Sequence, residues 1–233
     1  MDSNPPSKAF YEAINKREFI FLLIYFPFHF FILPYLLELI DIKLNLGINT
    51  VDLTVIYYSI GLILLIIFTF NFLKNDFNTL IDRLFHNIIQ LIISYFFMVF
   101  LTVILSYFIT MIDNSLENLN NSAIIEMAET QTGKTTAVAV FMAPIVEEIL
   151  FRGLIFKLTR SKSIYLAFIV SILFFGFYHV WQYVFLDVRY LFLIIEYIPA
   201  TFALCWSYEK SGSIWCPIFL HMYINYQNIM LLS

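Results

Sequence analysis

Apolar windows of about 20 residues recur along almost the whole chain, and each is long enough to cross a hydrocarbon core of roughly 30 Å. Inside a bilayer no water pairs with the backbone, so segments of this kind must be helices rather than open strands. The composition agrees, because 61% of the residues are hydrophobic and only 13% are charged. The sequence therefore predicts an all-α fold, a polytopic bundle of membrane helices.

We predict about seven transmembrane helices, or eight, and the spans lie at approximately 19–40, 52–73, 85–112, 136–158, 163–184, 188–206 and 213–232. Three of them form an N-terminal region, 1–112. A polar segment, 113–135, is expected to be an extracytoplasmic loop. The remaining four spans form a C-terminal four-helix region, 136–233, which holds nearly all the unusual polar residues.

Lysine and arginine are distributed unevenly between the two sides that these spans define. With the N-terminus inside, three lie outside (Lys43, Lys134 and Arg189) and nine lie in cytoplasmic segments: Lys8, Lys16, Arg17, Lys74, Arg83, Lys157, Arg160, Lys162 and Lys210. The positive-inside rule then predicts a multi-pass plasma-membrane protein with a cytoplasmic N-terminus. The net charge of −4 and the absence of a basic run give no indication of a nucleic-acid partner.

The stretch PIVEEILFRG places Glu147, Glu148 and Arg152 inside a predicted span. An ionisable side chain at mid-bilayer costs about 3 kcal/mol on insertion scales, so the three need partners or a wet cavity. Glu148 and Arg152 are four residues apart and can pair, which favours a buried packing network for these two. Glu147 is rotated by about 100° and is free for another task, such as proton transfer. Pro144 just before them is expected to loosen the helix turn.

Two later spans each carry a histidine at helical spacing from another candidate. Phe175 and His179 are four apart, as are His221 and Asn225. A lone intramembrane histidine is more often a packing residue, but two beside a pair of glutamates favour a functional site. A carboxylate with a neutral imidazole can deprotonate water, and a second imidazole with a carboxamide can stabilise an oxyanion. No serine or cysteine has a base at a recognisable spacing, so water attack on an amide fits best.

These patterns occur in the order E-E-x-x-x-R, F-x-x-x-H and H-x-x-x-N, and that order resembles the CPBP family, the CAAX proteases and bacteriocin-processing proteins also called the Abi family. The resemblance covers about 136–232, and the first three spans share only their membrane character. It implies that the four-helix region is a catalytic core with the active site in a cavity between helices.

The resemblance also implies a role for each motif residue. Glu147 would be the general base that activates water, and His179 would help to hold that water. His221 and Asn225 would form the oxyanion hole. The supporting residues would be Glu148, Arg152 and Phe175.

Zinc needs separate consideration, because the family is often labelled a metalloprotease. Glu147, His179 and His221 are the ligands that a zinc ion would use. However, H-E-x-x-H is absent, the ligands would come from three helices, and asparagine is a better oxyanion donor than a zinc ligand. We therefore favour metal-free glutamate catalysis and expect no cofactor, with zinc as the alternative.

The primary hypothesis is an intramembrane endopeptidase that acts in contact with membrane lipid on a small membrane-associated or lipidated peptide. Its task would be maturation of a secreted peptide, bacteriocin self-immunity or cleavage of a prenylated C-terminus. One alternative is a non-catalytic membrane protein of the same fold that binds a peptide for immunity. Another is a small transporter that uses a glutamate as a proton relay.

Overall fold

The structure, a computed structural model, describes residues 14–112 and 117–232, except for the side chains of 112, 231 and 232. Within these ranges there is no strand, and the chain forms eight helices: α1 (Lys16–Leu44), α2 (Thr50–Phe68), α3 (Phe70–Asp82), α4 (Leu84–Ile112), α5 (119–160), α6 (Ile164–Val184), α7 (Val188–Ser211) and α8 (Trp215–Leu232). The predicted all-α polytopic bundle is confirmed.

Five of the eight helices in the described part of the chain are long and apolar enough to cross a membrane: α1, α2, α4, α6 and α7. The predicted spans 136–158 and 213–232 are also helical and lie in α5 and α8. These two helices fall outside the group of five because they carry most of the polar residues discussed above.

The predicted second span, 52–73, is in fact two helices. At Thr69 the backbone turns out of the helical region, with φ −117° and ψ 23°, so α2 ends and α3 begins. Helix α3 is amphipathic and buries Phe72 and Leu73. The carboxylate of Glu18, which caps the start of α1, also accepts a hydrogen bond of 3.0 Å from the backbone N–H of Phe72. One acidic side chain thereby joins the first turns of α1 and α3.

The prediction of a loop at 113–135 is wrong over most of its length. Helix α5 starts at Leu119, and the Asn118 side chain accepts from the N–H of Asn121, the usual geometry of an N-terminal cap. Its backbone kinks at Gln131, where φ is −143° and ψ is 63°. The segment is polar on every face, a pattern that does not predict a stable helix from sequence alone. Residues 113–116 lie outside the described residues.

The later part of α5 alternates between α- and π-helix. A π segment, Ala137–Met142, precedes Pro144, and the N–H of Ala143 bonds the carbonyl of Val138, five residues back. In that register the next donor would be Pro144, which has no N–H, so the carbonyl of Ala139 has no donor from its own helix. This is the loosened turn that Pro144 predicted.

The second half of α5 is the centre of the bundle. Apolar residues on all its faces are almost completely buried: Val146, Ile149, Leu150, Phe151, Leu154 and Phe156. Glu148 and Arg152, on the same stretch, also have no exposed surface. A helix that is buried on every side lies inside the protein rather than against lipid. The charges therefore occupy the interior of the bundle.

Helix α3 fixes the start of α8. The Asp76 carboxylate accepts a 2.7 Å hydrogen bond from the backbone N–H of Ile214, and the Ser213 hydroxyl donates to the Asp76 carbonyl at 2.6 Å. Burial raises the pKa of Asp76 to about 6, although the Lys157 ammonium and the Ile214 N–H both act in the opposite direction. The N-terminal region thus anchors the helix that carries His221.

Candidate active site

Glu148 bridges two of the three motifs. Its Oε1 accepts from Arg152 Nη1 at 2.9 Å and lies 2.8 Å from His221 Nδ1. The expected pair between Glu148 and Arg152 is therefore present, and it extends to α8. Because a carboxylate faces Nδ1, that nitrogen carries a hydrogen, and the orientation of the His221 ring is fixed.

Glu147 points into the bundle with only 4% of its surface exposed. The hydroxyl of Tyr58 on α2 donates to its Oε1 at 3.0 Å. Its Oε2 lies 3.9 Å from His221 Nε2, too far for a direct hydrogen bond but close enough for strong electrostatic attraction to a protonated ring. The two glutamates therefore flank one imidazole, Glu148 at Nδ1 and Glu147 on the Nε2 side.

His179 is oriented by its own helix. Its Nδ1 lies 2.9 Å from the carbonyl oxygen of Phe175, which can only accept, so Nδ1 is the donor. In the neutral ring Nε2 is then an acceptor that can hold a water. The ring packs against Phe175 and Tyr197, each with a centroid 4.6 Å away, and these contacts restrict its rotation.

Phe175 lies where the three motifs meet. The guanidinium carbon of Arg152 is 4.7 Å from its ring centroid, in a cation–π contact. The rings of His179 and His221 lie 4.6 and 5.8 Å from it. This phenylalanine therefore supports the site by packing, and it spaces the two imidazoles.

Asn225 is held by the carbonyl that Pro144 leaves without a helical donor. Its Nδ2 donates to the Ala139 oxygen at 2.8 Å. This bond uses one amide hydrogen and leaves the other for a second acceptor. Helix α8 is thus attached to α5 at two successive turns, through His221 to Glu148 and through Asn225 to Ala139.

The structure therefore brings α5, α6 and α8 together. These helices carry all the residues predicted from the motifs: Glu147, Glu148, Arg152, Phe175, His179, His221 and Asn225. Among the residues described, no hydrogen bond joins His179 directly to Glu147. The hydroxyl of Tyr178, the residue before His179, lies 3.3 Å from the hydroxyl of Tyr58, which donates to Glu147.

Sequence reasoning missed both tyrosines. Tyr58 lies on α2, in a region that carries no motif, and tyrosine is a common residue of membrane helices. Tyr178 directly precedes His179, so its position in the chain was the one available signal. Helix α2, outside the predicted four-helix core of 136–233, also contributes a side chain that contacts Glu147.

The alternative zinc ligands were Glu147, His179 and His221. Over 14–112 and 117–232, no group of three or more His, Cys, Asp or Glu side chains is arranged to hold a metal ion. The Nδ1 atoms of His179 and His221 are engaged by the Phe175 carbonyl and by Glu148, so Nε2 is the nitrogen that each ring offers to a bound group.

An apolar pocket of about 370 Å³ lies beside the site, between α1, α5, α6 and α7. Its wall includes Phe30 and Phe31 of α1, Phe151 of α5, and Tyr178 and Trp181 of α6. The volume is within the range of about 300–1,000 Å³ typical of small-molecule sites. Because the Tyr178 hydroxyl bonds Tyr58, one side chain belongs both to the pocket wall and to the chain of hydroxyls that ends at Glu147.

Comparisons with known proteins found a family and a relative that are similar to this chain. Residues 132–227 match the family described as type II CAAX prenyl endopeptidase Rce1-like. YdiL of Bacillus subtilis (strain 168), which carries a provisional designation as a membrane peptidase, is 30% identical over 110 residues, 47% of this chain and 41% of YdiL. The match thus spans less than half of that relative's length. A comparison with solved structures gave no match.

Proposed function

We propose that this protein is an intramembrane endopeptidase in which Glu147 activates the attacking water, because residues 132–227 match the type II CAAX prenyl endopeptidase family and carry the three motifs. The observation that supports this most is the position of Glu147. Its carboxylate is buried in the bundle, has a hydroxyl donor at Oε1, and has Oε2 directed towards His221 without a direct bond.

The reaction would proceed by general base catalysis. Glu147 takes a proton from a water that His179 Nε2 helps to hold, and the water oxygen adds to the peptide carbonyl carbon. When the tetrahedral intermediate collapses, the C–N bond breaks and the departing amine takes the proton from Glu147. A base in this position contributes roughly 10²- to 10⁴-fold to the rate.

The oxyanion donors would be the remaining N–H of Asn225 and Nε2–H of His221. Because Nδ1–H of His221 is already directed at Glu148, Nε2 carries a hydrogen only in the imidazolium form. Glu148 lies at Nδ1 and Glu147 on the Nε2 side, so an imidazolium would have a carboxylate on each side. Glu148 and Arg152 would thus set the charge and orientation of an oxyanion donor rather than take part in bond breaking.

We propose that this reaction needs no metal ion, because H-E-x-x-H is absent and Asn225 is a better oxyanion donor than a zinc ligand. Purified enzyme should keep its activity after treatment with a strong chelator. Complete loss of activity that added zinc restores would contradict metal-free catalysis, while Glu147 would remain a catalytic residue.

For the substrate we propose a small membrane-associated or lipidated peptide. The aromatic pocket supports this choice, because it is apolar and its lining residue Tyr178 contacts Tyr58, which donates to Glu147. Prenylated C-termini, secreted peptides under maturation and bacteriocin-type peptides all belong to this class.

We also propose a plasma-membrane location with a cytoplasmic N-terminus. The uneven lysine and arginine distribution supports this orientation. The start of α1, helix α3 and the start of α8 contact one another through Glu18 and Asp76, as expected if all three lie on one side of the membrane.

The test uses protein reconstituted in liposomes with two internally quenched peptides, one farnesylated at a C-terminal C-a-a-X sequence and one unlipidated. Mass spectrometry of the products should show one cleaved bond with wild type and none with Glu147→Gln. Wild-type protein that binds the farnesylated peptide without cleaving it would favour the non-catalytic alternative. Uptake driven by a pH gradient, without cleavage, would favour the transporter.

A further inference from the structure

The hydroxyls of Tyr58 and Tyr178 form a short chain that ends on Glu147, outside the three motifs. We propose that Tyr58 is a positioning residue that keeps Glu147 ionised and selects which of its oxygens takes the proton from water. The inference rests on the proposed role of Glu147 as general base. Tyr58 is on α2, outside the family match at 132–227.

The direction of the hydrogen bonds follows from the number of hydrogens. Tyr58 has one hydroxyl hydrogen and donates it to Glu147 Oε1 at 3.0 Å. At its 3.3 Å contact with Tyr178 it must therefore accept, so Tyr178 is the donor there. Each donor in such a chain polarises the next, and the combined effect favours the negative charge on the carboxylate.

The same bond distinguishes the two carboxylate oxygens of Glu147. Oε1 is occupied by Tyr58, whereas Oε2 faces His221 Nε2 across 3.9 Å. Oε2 is therefore the oxygen that receives the proton, on the side where the oxyanion donor His221 lies. Loss of the Tyr58 hydroxyl would leave the carboxylate free to rotate and would destabilise its ionised form.

Packing of α2 explains why Tyr58 reaches this position. A Cβ on Gly61, three residues later, would lie 2.8 Å from His29 Cε1 and 3.4 Å from Val146 Cγ2. Gly61 thus permits close approach of α2 to α1 and to the residue before Glu147.

The experiment compares Tyr58→Phe, Tyr178→Phe and the control Tyr25→Phe in purified protein. Tyr25 is also a buried tyrosine, but its hydroxyl contacts His29 Nδ1, so this control removes a buried hydroxyl that does not touch Glu147. The first readout is the pH profile of kcat/KM for the farnesylated C-a-a-X peptide. The second needs no substrate: infrared difference spectroscopy follows the carboxyl band that disappears in Glu147→Gln as the pH is varied.

Tyr58→Phe should move the acid limb of the profile, and the midpoint of the infrared band, to higher pH by roughly one unit, the effect of losing one hydrogen bond to a charged group. Tyr178→Phe should move both in the same direction by less, and Tyr25→Phe should move neither. A uniform loss of rate with an unmoved limb and band, or an equal movement in the control, would overturn the proposal.

Two further outcomes also test the proposed role of Tyr58. If Tyr58→Phe does not fold, Tyr178→Phe alone must still move the band upward, and an unmoved band refutes the inference. If Glu147→Gln retains wild-type cleavage, the proposed function fails, and an infrared band that still moves in Tyr58→Phe would show the tyrosine contact to be real but unrelated to catalysis.

Discussion

Helices α5 to α8 and helices α1 to α4 contribute different things to one site. The first group supplies the ionisable side chains, each at a spacing that a motif records. The second supplies neutral groups, the Tyr58 hydroxyl and the α1 aromatic rings of the pocket wall, at positions without a motif. The reacting groups are thus encoded by local spacing, whereas their environment depends on how the remaining helices pack.

The first prediction, with the largest effect, tests whether the charged side chains of α5 to α8 also stabilise the bundle. Glu148→Gln leaves the buried guanidinium of Arg152 without its counter-ion, a change that typically destabilises by about 3–5 kcal/mol. Thermal unfolding in detergent measures it, with Asp52→Asn as the matched control, since Asp52 pairs with Lys134 at an exposed site. Equal destabilisation by both changes would contradict a central structural role for Glu148.

The second prediction tests the contact between the two groups, through Asp76. Because burial raises its pKa from 3.8 to about 6, the folded protein holds this proton more tightly than the unfolded chain. The resulting stabilisation is present below about pH 4 and is lost as the pH rises through 6, up to about 3 kcal/mol in total.

Asp76→Asn keeps an oxygen for the Ile214 N–H, so it should flatten this pH dependence in thermal unfolding between pH 4 and 7.5. Asp187→Asn is a suitable control, because hydrogen bonds from Arg189 lower the pKa of the Asp187 carboxyl. A pH dependence that is the same in wild type and in Asp76→Asn would show that Asp76 does not link α3 to α8 as described.

Pro144→Ala should reduce activity without reducing stability. Alanine provides the missing N–H, which can bond Ala139 within the helix and so release Asn225 from its present acceptor. If Asn225 is an oxyanion donor, kcat should fall by about 10- to 100-fold, less than on deletion of such a donor. Pro199→Ala, where α7 changes from a 3-10 segment (Val188–Tyr197) to an α-helix (Ile198–Ser211), should leave kcat unchanged.

The last prediction, with the smallest effect, concerns only the part of the pocket wall that α1 forms. Phe31 and Phe100 are both exposed phenylalanines of the N-terminal helices, but only Phe31 lines the pocket. Phe31→Ala should raise KM for the farnesylated peptide about fivefold, equivalent to about 1 kcal/mol of lost apolar contact. It should not change KM for the unlipidated peptide. Phe100→Ala should alter neither, and an equal effect on both peptides would remove the pocket from the proposal.

The sequence predicted what helix geometry alone determines. Glu148 and Arg152 pair because residues four apart share a helix face, and Glu147 faces another direction for the same reason. The sequence also predicted that helices α5, α6 and α8 converge, but it did not predict individual contacts between them, such as the one between His221 and Glu148. The acceptor of Asn225 was not predicted, because it depends on a π register that Pro144 produces together with its neighbours.

Two features were not predicted from the sequence, the helix at 119–136 and the role of Tyr58, and both have a physical explanation. Residues 119–136 are helical except for the kink at Gln131, although they have no apolar face. Tertiary contacts support the segment, since Asn118 donates to Glu196 at 2.6 Å and Gln131 donates to Asn49 at 3.2 Å. Hydrophobic periodicity cannot register such bonds. Tyr58 was missed similarly, because its importance arises from the partner that Gly61 allows it to reach.

Whether Glu147 is the general base is tested most directly by two glutamine variants of α5 in the same liposomes. Glu147→Gln removes the proposed base, and Glu126→Gln makes the same change at an exposed position of the same helix. With the farnesylated C-a-a-X peptide, the initial cleavage rate should fall by at least about 10²-fold in Glu147→Gln and remain at the wild-type level in Glu126→Gln. A folded Glu147→Gln variant that cleaves as fast as wild type would contradict the central claim.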